Sequence, residues 1–243
     1  MLKEAIEKIQ ELCMARTEIV DGITYLLDGK GNFQQIRPEL DFAEETQLTS
    51  LEALVQFVKE EALKRYPKVY ITVPDHLTVK CFTGLNDDLR KNRENLYTAV
   101  AKDVPGWESK VSLGFEEALI ALRTRFQHAT DTDYALRLLS NITTGGKVTY
   151  NDNGVATSIV TKRGIDLQNN ETIRPIIKLR PYRTFQEVEQ PESDFLIRLN
   201  ERYITFLEAD GGMWKLAARN TVKAYLMDAL SGDVDAGAVV ISL

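Results

Sequence analysis

After Gly146 the apolar residues stop recurring at helical spacing and begin to alternate. This change constrains the fold more than any other feature, because alternation over several short runs demands strands buried on one face. Lys147 to Tyr150 reads as a strand, Asn151-Asp152-Asn153-Gly154 as a hairpin turn, and Val155 to Thr161 as its return. In the next run Ile173, Pro175, Ile177, Leu179 and Pro181 share one face. Arg174, Lys178, Arg180 and Tyr182 share the other, with Ile176 as the exception. Two prolines cannot donate to a ladder, so this strand belongs at an edge or is unpaired at those positions. Phe195, Ile197 and Leu199 alternate next, then Tyr203 to Leu207. Asp210-Gly211-Gly212 turns the chain toward a short strand around Trp214. Ala217, Val222, Tyr225, Leu226 and Leu230 then form an amphipathic helix, and the tail reaches Leu243 as a further edge strand or a loose end. Residues 147 to 230 are thus expected to be an antiparallel meander closed by a helix.

Ahead of it the pattern is mixed. Leu2, Ile6, Ile9, Leu12 and Cys13 recur at helical spacing, and turn signals at Asp21-Gly22 and Asp28-Gly29 separate short β-like pieces over 17–37. Thr49 and Glu52 fit a capping box ahead of Leu51, Leu54, Val55, Val58, Ala62 and Leu63, and Pro67 stops that helix. Strands follow at 68–73 and 77–82, then a polar, irregular stretch at 83–110 punctuated by Pro105-Gly106-Trp107. Ser112 is placed to cap a helix burying Phe115, Leu119, Leu122 and Phe126, and a shorter helix carries Tyr134, Leu138 and Leu139. The expected class is α+β. A mixed α/β region over 1–145 precedes an antiparallel sheet plus helix over 146–243, and the two could equally form one continuous domain.

Hydrophobic residues make up 44% and charged residues 27% of the 243, ordinary values for a globular chain. The net charge of -6 supplies no overall attraction for nucleic acid or an anionic membrane. The cysteines, Cys13 and Cys81, have neither metal spacing nor the number for a disulfide framework, which points to a reducing compartment. The N-terminus carries charges through its apolar positions and is expected to be neither a signal peptide nor a membrane span.

No dinucleotide or phosphate-binding glycine loop, zinc-protease motif, paired-cysteine motif or nucleophile elbow occurs. His128, Asp131 and Asp133 could gather a divalent ion, but capping of the next helix is the better reading. Arg174, Lys178, Arg180 and Arg183, with Tyr182 and Phe185 nearby, form a basic stripe interleaved with aromatics, which suits single-stranded nucleic acid. Glu187, Glu189, Glu192 and Asp194 follow directly, and pairing with them favours a solvated face. Glu208 to Trp214 sets two carboxylates and a tryptophan around a Gly-Gly turn. The candidate binding residues are therefore Arg174, Lys178, Arg180, Tyr182, Arg183, Glu187, Glu189, Asp210 and Trp214. No catalytic residue, metal ligand or cofactor is nominated.

The run FQEVEQPESDFLIRL, followed by ITFLEADGGMWKLAARNTVKAYL, resembles the YfdQ-like family of phage and prophage proteins. The shared features are an EVEQP-type segment, the FL pair after it, a hairpin of the FEADGG-W type and a helix ending in a YL pair. Leu207 stands in the Phe place of that hairpin. The resemblance covers 147–230 and extends loosely to the helix at 112–127; residues 1–75 lie outside it. It implies an early-region accessory protein of a tailed phage, acting in the host bacterial cytoplasm. It supplies no catalytic residues. The function expected on this basis is non-enzymatic binding of a host or phage protein, for instance to counter a host defence. The rivals are a single-stranded nucleic-acid-binding or recombination-assisting protein, and a small-ligand binder or enzyme at the 208–214 hairpin. The proline-broken edge strand and the amphipathic N-terminal helix also offer surfaces for a homo-oligomer.

Overall fold

The computed structural model describes residues 3–6, 8, 16–21, 23–27, 32–36, 44–85, 93–144, 148–152, 157–162, 168–172, 174–200 and 202–243. The chain divides into two compact units, Met1–Ala43 and Glu44–Leu243. The expected boundary near 146 is therefore not where the units part. The reason is physical: strands on both sides of it share one sheet and one core, as follows.

In the first unit residues 3–6 and 8 are helical, and the remainder of the helix expected at 2–14 lies outside the described residues. Strands β1 (Arg16–Val20), β2 (Ile23–Leu27) and β3 (Phe33–Gln35) form an antiparallel sheet in that order, as the turn signals anticipate. Tyr25 and Phe33 meet edge to face across it.

The second unit opens with β4 (Thr46–Leu48). Helix α1 then runs Leu51–Phe57, continues as a π-helical segment Val58–Ala62 and ends with the turn Leu63–Arg65. Its cap is Ser50, whose hydroxyl accepts from Ala53 N at 3.2 Å, one residue beyond the expected Thr49. Leu51, Leu54, Val58 and Ala62 are buried, which is the anticipated face. Strands β5 (Val69–Asp75), β6 (Thr78–Thr83) and β7 (Asn95–Val100) follow. β7 lies in the stretch read as irregular. It is a strand because Tyr97 and Ala99 reach the core opposite Cys81 and Val79.

Next come β8 (Lys110–Gly114), helix α2 (Phe115–Thr124), the two-residue β9 (Phe126–Gln127) and helix α3 (Thr132–Thr144). Ser112 sits in β8, not at a cap, and its hydroxyl hydrogen-bonds Thr205 at 2.8 Å. The Glu117 carboxylate instead accepts from Gly114 N at the start of α2. Strands β10 (Val148–Asp152), β11 (Thr157–Lys162) and β12 (Gln168–Thr172) make a separate antiparallel sheet. Gly154 of the expected hairpin turn and Ile173 lie outside the described residues. The chain ends with β13 (Ile176–Pro181), β14 (Ser193–Leu199), β15 (Tyr203–Glu208), helix α4 (Trp214–Ala229), the short α5 (Ser231–Asp235) and β16 (Val239–Ser242).

Two five-stranded sheets carry the unit. One, in the order β8-β15-β14-β13-β9, holds the later part of the expected meander, from β13 on, and takes both edge strands from before residue 146; the strands at 148–172 expected to open the meander form their own sheet instead. It packs on α2 and α3 through Ala118, Leu122, Tyr134 and Leu139 against Ile177, Leu179, Phe195, Ile197 and Phe206. The other, β16-β5-β6-β7-β4, is mixed, because β16 runs parallel to β5 and β4 parallel to β7. α1 and α4 cover it and touch one another.

The fold is α+β, with a C-terminal helix after a strand meander. However, Val222, Leu226 and Leu230 of that helix bury themselves against α1 and β5, in the core of the other sheet. Each side chain of this size contributes about 1.5–3 kcal/mol when fully removed from water. The helix therefore goes where Val69, Ile71 and Leu54 wait for cover, not back onto the meander that precedes it. Among the described residues no helix is long and apolar enough to cross a membrane.

Candidate functional site

The two sheets meet at the segment after β13 and at the turn into α4. Gln190 organises the first. Its Oε1 accepts from Arg183 N at 2.9 Å and Thr184 N at 3.1 Å. Its Nε2 donates to Phe185 O at 2.9 Å and Val188 O at 3.2 Å. One buried amide thus satisfies four backbone groups of a loop that has no ladder to satisfy them. The loop reaches across to the other sheet: Phe185 and Val188 are buried in its core, and Thr184 Oγ1 donates to His76 O.

Asp210 organises the second junction. Its carboxylate accepts from Gly212 N at 3.0 Å and Trp214 N at 3.2 Å, while Gly211 and Gly212 take positive φ. Trp214 consequently begins α4 and is not the centre of a short strand, a correction to the sequence reading. Asp210, four residues ahead, satisfies the N–H of Trp214, one of the helix-start groups that have no partner within the helix.

These two turns place Arg183, Glu208 and Trp214 together. Arg183 has 3% of its surface exposed. Its Nη1 pairs with Glu208 and its Nη2 donates to Ser193 Oγ. Its Cζ lies 3.9 Å from the centroid of the Trp214 ring, a cation–π contact. Burial lowers the Arg183 pKa to about 10, against the opposing pull of Glu208 and Asp210. The guanidinium stays charged at neutral pH. His76, from the turn between β5 and β6, meets Trp214 edge to face at 4.8 Å. Burial pushes its pKa down; Asp75 acts against this, and Lys215 and Arg183 reinforce it.

Two openings flank this centre. A cleft of about 570 Å³ is lined by His76, Trp107, Glu108, Arg183, Glu208, Trp214 and Lys215, among others. Trp107 packs edge-on against Phe126 and Phe206 at 4.7 and 5.7 Å. A groove of about 340 Å³ lies on the other side of Trp214, lined by Lys178, Glu192, Asp194, Asp210, Met213 and Leu216, among others.

The nine candidate residues disperse into distinct roles. Arg183, Asp210 and Trp214 come together, with Lys178 across the groove. Lys178 Nζ lies 3.7 Å from Asp194. Arg174 pairs with Asp131 at 2.7 Å and covers the Tyr134 ring. Arg180 pairs with Glu189, and its Nε is 3.5 Å from Glu192. Tyr182 is half-buried, and its N donates to Arg125 O. Glu187 leaves the site altogether: its carboxylate accepts from Leu51 N at 2.7 Å and caps α1. Every cation of the basic stripe thus has a carboxylate partner.

Asp131 also closes the free edge of β13. Its Oδ2 accepts from Lys178 N at 2.9 Å, and its N donates to Lys178 O. β13 is accordingly penultimate in its sheet, bonded to β9 only at Arg180 and Pro181. Pro175 precedes the strand and Pro181 ends it, which satisfies the proline constraint. His128 and Asp133 form an exposed pair at 3.3 Å apart from Asp131's partners. Among the described residues no group of His, Cys, Asp or Glu is arranged to hold a metal.

Residues that the sequence reading passed over are Trp107, read as loop punctuation, His76, Ser193 and Gln190's amide. A Trp beside Pro105-Gly106 in a polar stretch was the one available signal. No family model, curated protein or solved structure matches this chain.

Proposed function

We propose that the protein is a phage accessory protein that works by binding a host or phage protein in the bacterial cytoplasm, with the groove beside α4 as the contact. Countering a host defence is the role such binding would serve. The phage setting rests on the resemblance of the EVEQP and EADGG segments. The observation that carries the binding mode is the groove itself. Met213, just ahead of α4, is 62% exposed and Leu216, in its first turn, 42%, both large apolar side chains. Glu192, Asp194 and Asp210 line the same groove, and its one cation, Lys178, is shared with Asp194. An apolar strip with an acidic rim fits a partner segment that is apolar and basic. The pairing of the Arg174–Arg183 stripe weighs against nucleic acid as that partner.

The test is affinity capture of the tagged full-length protein from infected cells, comparing wild type with Met213→Glu and Leu216→Glu. Both side chains lie outside the two buried cores, and circular dichroism of each variant checks that it is folded. A discrete protein recovered by wild type, lost with either variant and retained by Ile120→Glu, a distant exposed control, supports the reading. Recovery of nothing but the protein itself, or recovery indifferent to Met213 and Leu216, overturns it.

A further inference from the structure

A sheet edge that is neither closed nor charged is a template for another strand, and folds guard such edges with charges, prolines or very short strands. β13, whose prolines suggest a surface for self-association, is closed by β9 and Asp131. Among the described residues, the edge strands longer than three residues are β1, β8, β10, β12 and β16. β1 carries Arg16 and Glu18, β8 Lys110, β10 Asp152 and β12 Glu171. β16 alone carries no charge, and it has no proline or glycine. Its backbone is half used. Val69 N donates to Ala238 O, and Val239 lies opposite Val69 in a parallel pair. In that pattern Ala238, Val240 and Ser242 face β5, whereas the N–H and C=O groups of Val239 and Ile241 face away from it. β16 ends its sheet, so no strand receives them.

The side chains of this edge are apolar on both faces. Val239 is buried and Ile241 half-buried against the core under α1 and α4, while Val240 is 37% exposed on the opposite face. A partner recognised by charge has nothing to hold here, but β16 is its own complement. Run antiparallel against itself with the two-fold axis at Val240, it sets Val239 opposite Ile241 of the second copy and Val240 opposite Val240. Val239 and Ile241 then exchange both backbone hydrogen bonds in each pair. On the core side Ile241 gains Val239 of the second copy as cover, and on the outer face the two Val240 side chains meet. Such β-branched cross-strand pairs stabilise a sheet. We infer that the protein forms a two-fold dimer through β16, which joins two five-stranded sheets into one. The inference goes beyond the groove reading and does not depend on it.

Sedimentation velocity of the full-length protein across the micromolar range should give twice the 27.5 kDa of one chain. Val240→Lys sets like charges opposite one another, and Ile241→Pro removes an N–H that only the second copy accepts. Each should weaken the dimer about tenfold or more, with an unchanged circular dichroism spectrum. Ile120→Lys, distant and exposed, should keep the dimer. Cross-linking in a Cys13→Ser background reads the register. Across a non-hydrogen-bonded antiparallel pair the Cα atoms are about 4.5 Å apart, within disulfide reach. Val240→Cys should therefore oxidise to a covalent dimer, whereas Ser242→Cys, opposite Ala238 of the second copy, should not. A monomer at every concentration overturns the inference. So does a dimer indifferent to both Val240→Lys and Ile241→Pro, or equal cross-linking from Val240→Cys and Ser242→Cys.

Discussion

Arg183 lies over the face of Trp214, its Cζ 3.9 Å from the ring centroid, while its Nη1 pairs with Glu208. The charge is almost wholly out of water, so its partners are what keep it there. Arg183→Met should destabilise the protein by about 3–5 kcal/mol, because the largely covered Glu208 loses its partner and the cation–π contact with Trp214 is lost. Arg183→Met combined with Glu208→Gln should recover a large part of that loss. Urea unfolding of the single and double variants measures both.

Gln190 is expected to matter as much without carrying any charge. Gln190→Ala strands two N–H groups and two carbonyls of the 183–188 segment. A loss of about 3 kcal/mol is expected. Phe185 and Val188 should loosen from the core of the other sheet, which thermal unfolding and hydrogen exchange over 183–190 would show.

His76 should give a pH dependence of known sign. Burial holds its folded pKa below the ordinary value of 6.5. As pH falls through 6.5 the unfolded chain takes up a proton that the folded chain refuses, so stability falls. It is fully present above that value. His76→Gln should flatten the fall of the thermal midpoint as pH drops below 6.5. A slope identical to wild type would show that other groups carry it.

Cys81 should be chemically silent in the folded protein. It is 1% exposed, and burial pushes its thiol up to about 12. In a Cys13→Ser background, thiol reagents should label nothing in native buffer at neutral pH and label Cys81 only as the protein unfolds. Mass spectrometry along a urea series reads this directly.

Lys178, the exposed cation at the middle of the basic stripe, should contribute little to stability, and the stripe nothing to nucleic-acid affinity. Lys178 pairs on the surface with Asp194. Replacing Lys178 by Ala should cost under about 1 kcal/mol. Single-stranded DNA should not shift in low-salt gels. A shift that weakens steeply with salt would restore the nucleic-acid reading.

Local patterning by itself determined which residues turn inward. Ile177 and Leu179 are buried and Lys178 exposed, as alternation requires. Leu54, Val58 and Ala62, like Val222 and Leu226, are buried at the helical spacing the sequence displays. Those outcomes depend only on the chain's own period and the cost of wetting apolar surface. What that surface meets was decided in three dimensions. α4 follows the meander yet packs on the other sheet. β8 and β9 lie far earlier in the chain yet flank the meander. The same holds at the candidate site. Arg183 and Glu208 are 25 residues apart, and Leu51 and Glu187 are 136 apart. No spacing announces such pairs, because a charge or an open helix end is satisfied by whichever partner the packing of two cores delivers. The sequence therefore showed that 174–183 and 208–214 carry charge and aromatic surface. Only the tertiary structure decided that the stripe would be neutralised, that Glu187 would cap a helix, and that His76 and Trp107 would join Arg183 and Trp214 around one cleft.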